Sequence, residues 1–389
     1  MITSWLPYCA ILFASSLLVS LLLSSLGLVS TLGHDRNEGI QKFHAHPTSR
    51  LGGISIVAGL AVAVYATAPI NSEVSSWIVW LLLASVPVFA GGLVEDLTHK
   101  VGPNARLLLA IVSASLAYYY LHIGVQRVDV APIDALLSLP AATYLVTLLV
   151  VSGFVQSVNI IDGFHGLASG VVVIMLSALM AMAWRCGDTL VLLLCLTTLS
   201  VTLGFFVLNW PLGKIFLGDA GAYLLGFWVV ELGLLLLSRN PTLSPIAPIM
   251  VGILPLIETL FSMYRRKFVR QHPINHPDSL HLHTLIYRRL VSHPQDCTKQ
   301  HKNDANARVA VYLWVPSFAF AAVTCLLMDQ TDALLLLMLI FIAAYIWLYR
   351  CLVKFKAPAW LNRRARTSAG LESVYAPLQH QPTKPTETR

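Results

Sequence analysis

The chain has 389 residues, 56% of them hydrophobic and only 12% charged, with a mean hydropathy of +0.70; these values exclude an ordinary water-soluble protein and predict an all-α polytopic membrane protein of one domain. The six cysteines (Cys9, Cys186, Cys195, Cys297, Cys325, Cys351) show no CxxC spacing and indicate neither a disulfide framework nor a cysteine metal site. The net charge of +7 takes its meaning from the side of the membrane that carries it, and no nucleic-acid partner is expected.

Windows of about 17–22 apolar residues predict eleven transmembrane helices, near 5–28, 52–70, 77–94, 105–122, 141–158, 167–184, 188–207, 219–237, 243–263, 309–328 and 332–350. No Lys or Arg precedes the first span and basic residues follow it, the reverse of a cleavable signal, so it is expected to stay as a helix. Of the 26 Lys and Arg, only Arg127, Arg185 and Arg239 fall after even-numbered spans. The positive-inside rule then puts the N-terminus outside and the C-terminus in the cytoplasm. Residues 1–356 are expected to form a single transmembrane catalytic domain. Residues 357–389, rich in Pro, Thr, Arg and Gln, read as a disordered cytoplasmic tail.

Polar residues crowd on the cytoplasmic side of this layout. Every histidine except His122 lies on or near it, as do five clusters: Lys42 to Gly53 with His44 and His46; Glu95-Asp96 with Lys100 and Arg106; Asn159 to Gly166 with Asp162 and His165; Lys214 to Gly221; and Asp278 to His283 with His281. Asp219, between glycines at the start of the eighth span, either caps a helix or serves a function, since charge at membrane depth is costly. Taken alone the stretch favours neither reading, and the four other clusters on the same side favour function. Glu95, Asp96, Asp162 and Asp219 form a hard oxygen set suited to Mg²⁺, or to Mn²⁺. Lysines, arginines and histidines beside them suit phosphate oxygens, and helix N-termini supply N–H groups for an anion. Together these are the parts of a phosphoryl-transfer site facing the cytosol, with a lipid as one reactant.

Five motifs carry a resemblance: Lys42-x-His44 with Pro47-Thr48 and Leu51-Gly52-Gly53; Gly92-Leu-Val-Glu95-Asp96; Asn159-x-x-Asp162-Gly163-x-x-Gly166; Lys214-x-Phe216-x-Gly218-Asp219-x-Gly221; and Pro277-Asp278-x-x-His281-x-His283. In this order they resemble the bacterial polyprenyl-phosphate N-acetylhexosamine-1-phosphate transferases (glycosyltransferase family 4), which include the MraY and WecA enzymes, and the chain looks closer to WecA. The resemblance implies transfer of N-acetylhexosamine-1-phosphate from a UDP-sugar to undecaprenyl phosphate in the bacterial inner membrane, with release of UMP and a requirement for Mg²⁺. O-antigen or another surface polysaccharide is the implied pathway.

Carried onto matching positions, the resemblance makes Asp219 the leading metal ligand with Asp162 beside it. Glu95 and Asp96 match the acidic pair that engages or deprotonates the lipid phosphate. Lys42, His44, Asn159, Lys214, His281 and His283 match substrate-binding positions. Membrane lipid is an expected partner, and a homodimer is left open. The sequence departs from the family pattern in Glu95 for the first acid of the pair, His165 for a second acid in the Asn159 loop, and Thr284 for a third histidine. Two other readings compete: a transporter or flippase for an anionic substrate, and a membrane phosphatase with water as acceptor. Polar residues at one face instead of the midplane argue against transport. Glu231, deep in the eighth span, is expected to make a protein-facing hydrogen bond. Glu258 is expected to pair with Arg265-Arg266-Lys267 or border the site, and that basic cluster to anchor topology and meet anionic lipid, with phosphate binding by Arg265 and Arg266 the alternative.

Overall fold

A computed structural model describes residues 2–25, 48–269, 280–292 and 299–354. Lys42, His44, Asp278 and the 357–389 tail lie outside the described residues. The described chain is helical: α1 (Ile2–Ser25), α2 (Gly52–Thr67), α3 (Ser72–Thr98), α4 (Pro103–Leu121), a short α5 (Ala131–Leu137), α6 (Pro140–Ile161), α7 (Leu167–Cys186), α8 (Thr189–Asn209) and α9 (Gly218–Arg239). The remainder comprises α10 (Ile246–Val251), α11 (Ile253–Tyr264), α12 (Leu282–Ile286), α13 (Lys299–Leu326) and α14 (Thr331–Val353). Single π-helical turns, Arg265–Val269 and Tyr287–Val291, extend α11 and α12.

Among the described residues eight helices, α1, α3, α6, α7, α8, α9, α13 and α14, are long and apolar enough to cross a membrane, and α2 is a shorter apolar helix. The predicted continuous ninth span is corrected. It is broken at Gly252 into α10 and α11, because Pro255 in the first turn of α11 has no N–H to bond back across the break. Pro87 inside α3 ends nothing: the next N–H, that of Val88, donates to Ser113 Oγ on α4 at 3.1 Å. A neighbouring hydroxyl serves a backbone group that lipid would leave unpaired.

The middle of the bundle is α9. Every residue from Gly218 to Leu237 is buried, and α2, α3, α6, α7 and α8 pack around it. A helix apolar on all sides belongs in such a position. Its first turn is approached closely: a Cβ at Gly53 would lie 2.5 Å from Gly221 N, and one at Gly92 2.6 Å from Ala220 N. Small residues are what let α2 and α3 come this near.

Glu231, on the same helix, is 1% exposed, and neither of its carboxylate oxygens has a hydrogen-bond partner. It faces protein as expected, but the expected hydrogen bond is not made.

Starts of α2, α4, α7 and α9 and ends of α3, α6 and α8 meet at one end of the bundle. There the stretch before α2 is laced to the stretch before α9. Phe216 N donates to Ser49 O at 2.8 Å, Gly52 N to Phe216 O at 3.0 Å and Gly53 N to Leu217 O at 3.1 Å, forming an isolated parallel bridge between Ser49 and Ile215. Two motifs more than 160 residues apart thus share one backbone ladder.

Candidate active site

The site is built on the N-terminus of α9. A helix leaves its first N–H groups without internal partners, and Leu217, at the cap position, offers no side-chain bond. Acids from other helices take that role. Asp96, from the last turn of α3, accepts from Asp219 N at 3.0 Å and Ala220 N at 2.9 Å, and the Gly218 N–H faces Asp162. The expectation that helix N–H groups here meet a phosphate is therefore corrected: protein carboxylates occupy them. Gly218 itself has φ +72°, and a Cβ on it would lie 2.0 Å from Arg50 O. Only glycine fits this turn.

With its backbone fixed, the Asp219 side chain projects toward two guanidinium groups. Arg50 donates to Asp219 Oδ1 at 2.9 Å, and Arg106, from the first turn of α4, donates to Oδ2. Arg50 also lies 3.3 Å from Asp96 Oδ1 through its Nε. Asp96 is completely buried, with both oxygens engaged. Glu95 is more exposed; it accepts from Val101 N at 2.8 Å and interacts electrostatically with Arg106.

Although part of the Asp162 residue is solvent-accessible, protein surrounds its carboxyl. Desolvation pushes it up to about 7; Asp219 and Asp96 add to the rise, and Arg50 and the Gly218 N–H oppose it. Four acids thus share two arginines, an excess of negative charge that favours a cation. No three His, Cys, Asp or Glu form a metal cage among the described residues. Mg²⁺ is usually held by one or two carboxylates plus substrate phosphates; Asp219 and Asp162 have the donor chemistry for it, with both Asp219 oxygens held by arginines that a metal would have to share or displace.

A second group closes the site from the far side of the Asp162 turn. His281 and His283 stack with ring centroids 5.2 Å apart and planes at 5°. Their Nδ1 atoms lie 3.3 and 3.4 Å from Glu258 Oε1, which also accepts Leu282 N at 2.7 Å. Phe164 meets His283 edge-on at 5.7 Å, and a Cβ on Gly163 would lie 3.3 Å from His283 Nε2. Burial lowers the His283 pKa, and Glu258 raises it.

Of the expected site residues, Glu95, Asp96, Asp162 and Asp219 come together, with His283 against the Asp162–Gly163 turn. Asn159 is half-buried, and its carbonyl accepts Asp162 N at 3.1 Å. Lys214 is exposed at the rim. His165 is buried beside Phe216, 5.3 Å between ring centroids, and would clash with any Cβ on Gly213; it packs the 213–216 turn. Thr284 is buried in α12.

Several residues do more than their sequence positions predict. Arg50 and Arg106, which fit the topology count and lie beside the acid clusters, both hold Asp219. Asn209 accepts Gly166 N at 3.0 Å and Ser169 Oγ at 2.7 Å, and donates to Ile215 O at 2.8 Å, tying the Asp162 turn to the strand-like stretch before α9. Glu258 meets the histidines and Tyr345, and buried Arg265 donates to Leu280 O and to Tyr349 Oη, which is more than a topology anchor does.

A family model described as glycosyl transferase family 4 matches residues 77–237. A probable undecaprenyl-phosphate N-acetylglucosaminyl 1-phosphate transferase of Bacillus subtilis (strain 168) is 31% identical over 257 residues, 65% of this chain and 69% of that protein. Two proteins named undecaprenyl-phosphate alpha-N-acetylglucosaminyl 1-phosphate transferase are also similar. That of Yersinia pestis is 27% identical over 260 residues, 64% of this chain and 68% of the relative. That of Escherichia coli (strain K12) is 28% identical over 261 residues, 64% and 67%. All four clustered acids lie inside the stretch the family model matches, among helices long enough to cross a membrane, and the chain belongs to glycosyl transferase family 4.

Proposed function

We propose that this protein transfers N-acetylhexosamine-1-phosphate from a UDP-sugar, UDP-N-acetylglucosamine first among them, to undecaprenyl phosphate. The observation that carries this reading is the cluster of four acids against two arginines at the N-terminus of the central helix, in a chain whose relatives bear that activity in their names. UMP is the leaving group, and the product begins a lipid-linked O-antigen or another surface polysaccharide. In this reading residues 1–356 are the catalytic domain in the bacterial inner membrane, crossed eleven times with the N-terminus outside. The site then faces the cytosol, where nucleotide sugars are made.

Asp219 and Asp162 would hold Mg²⁺, or Mn²⁺, which when bound neutralises the diphosphate. The chain's own residues supply the rest. Glu95 is the acid free to take the proton from the lipid phosphate, because Asp96 spends both oxygens on α9 and Arg50. The deprotonated lipid oxygen attacks the sugar-bearing phosphorus, forming one P–O bond as the bond to UMP breaks. Arg50 and Arg106 hold Asp219 in place and lie where developing phosphate charge needs cations. His281, His283 and Lys214 receive the nucleotide-sugar phosphates, with Asn159 and the Lys42–His44 stretch completing the substrate contacts.

The test is incubation of purified protein with radiolabelled UDP-N-acetylglucosamine, Mg²⁺ and undecaprenyl phosphate. A lipid-linked sugar phosphate and stoichiometric UMP are expected. Absence of lipid-linked product with every UDP-N-acetylhexosamine would overturn the reading, and a UMP burst without lipid acceptor would replace direct attack by a covalent carboxylate intermediate.

A further inference from the structure

Glu258 is a buried carboxylate that the reaction above does not use, yet two hydrogen-bond donors and the Nδ1 edges of two imidazoles converge on it. Oε1 faces Leu282 N–H and both histidine Nδ1 atoms, and Oε2 accepts the Tyr345 hydroxyl at 2.7 Å. Tyr345 belongs to α14, the last helix. One turn further along α14, the Tyr349 hydroxyl accepts from Arg265, whose guanidinium also donates to Leu280 O. Two tyrosines at i and i+4 on one face of α14 thus brace the groups that hold the histidine segment. A carboxylate that holds the Nδ1 edge of an imidazole fixes its orientation and leaves Nε2 for work, and His283 Nε2 is the atom that lies against the Asp162–Gly163 turn.

We infer that Glu258, itself oriented by Tyr345, is a positioning residue. It locks His281 and His283 so that His283 presents Nε2 beside Asp162, where the diphosphate of a nucleotide sugar is received. The inference rests on the proposed nucleotide-sugar site but assigns to α11 and α14 a role that the acid cluster does not require. Being a positioning device for one substrate, it acts on nucleotide binding and leaves the lipid side of the reaction alone. Arg265 and Tyr349 support the same segment through its backbone and act more weakly.

The experiment uses full-length protein in detergent and the variants Glu258→Gln, Glu258→Asp and Tyr345→Phe. UDP affinity is read by calorimetry, KM for UDP-N-acetylglucosamine and for undecaprenyl phosphate by steady-state assay, and folding by thermal unfolding. Glu258→Gln is expected to weaken UDP about tenfold and raise the nucleotide-sugar KM to match. The lipid-phosphate KM stays within about twofold. Glu258→Asp, which keeps the charge, recovers most of the affinity. Tyr345→Phe loses about threefold, and adding it to Glu258→Gln costs nothing further because both act through one carboxylate. UDP binding unchanged in Glu258→Gln would overturn the inference, as would equal damage to both KM values with no recovery in Glu258→Asp. Wild-type protein that binds UDP but makes no lipid-linked product would sink the transferase reading alone, with the affinity of Glu258→Gln still deciding this one. Wild-type protein that binds no UDP would sink both.

Discussion

The two ends of α3 carry polar side chains that do opposite things. At its start Asn71 accepts from Val74 N at 3.1 Å and so caps its own helix. In its last turn Asp96 serves α9 and Arg50 instead. The rest of the bundle repeats the contrast. Asp188, at the end shared with Asn71, caps its own α8 and pairs with Arg239, at 3.3 and 2.8 Å. At the site end Asp219, Asn209 and Glu258 all bind elements distant in sequence. The far end closes helices and ties neighbouring loops, as Arg239 does through Asp188 and Arg127 through Leu243 O. The other over-determines a few carboxylates, which is what preorganised electrostatics requires, since donors already fixed cost no reorganisation when charge develops.

The contrast is sharpest at Asp219. Asp219→Asn keeps the size of the side chain, removes the charge that two arginines share, and is expected to lower kcat/KM about 10³-fold. Circular dichroism and size-exclusion behaviour should remain those of the wild type; retained turnover would deny the residue a role in the site.

A second split separates neighbours. Glu95→Gln is expected to lose about 10²-fold in kcat with its unfolding temperature unchanged. Asp96→Ala removes the acceptor of two α9 N–H groups and strands Arg50, at a cost of about 3 kcal/mol, so unfolding temperature and activity fall together. The reverse pattern would make Asp96 the base and Glu95 the prop.

Much of this was legible in the sequence. Glycine-flanked Asp219 ahead of an apolar run announces a helix start, and the sidedness of Lys and Arg predicts that the acids share one end. The partners of those acids were not legible, because each is chosen by tertiary packing. Asp96 lies 123 residues from the N–H groups it caps, and no local pattern marks that pairing. Arg50 and Arg106 fit the topology count so well that charge sidedness masked their contacts with Asp219. Glu258 precedes its histidines by more than 20 residues, and only the fold brings one carboxylate under both rings. Pro245, Pro248 and Pro255 did carry the signal for the broken ninth span, but hydropathy windows average over prolines.

Asp162 tests the contrast through pH. Its pKa in the folded protein is about 7, against 3.8 for an ordinary aspartate, so between those values the folded state holds a proton that the unfolded chain has released. This group's contribution is therefore most favourable below pH 4, declines as pH rises toward 7, and is constant above. In metal-free buffer Asp162→Asn is expected to unfold at a temperature a few degrees above wild type at pH 8, with the gap closing toward pH 4. A gap independent of pH would mean that the carboxyl is not strained by its surroundings, and the site would owe less to stored electrostatic cost.

The smallest effect belongs to the far end of α3. Asn71→Ala should cost about 1 kcal/mol, the usual value of a lost N-cap, visible as a slightly lower unfolding temperature in detergent. α3 has 27 residues and is therefore about 40 Å long, and every bond that Asn71 makes through its side chain stays within its own first turn. Neither kcat nor either KM should move. If they do, α3 transmits strain from its start to Asp96 as a rigid rod, and the two ends are one mechanical unit instead of a cap and a site.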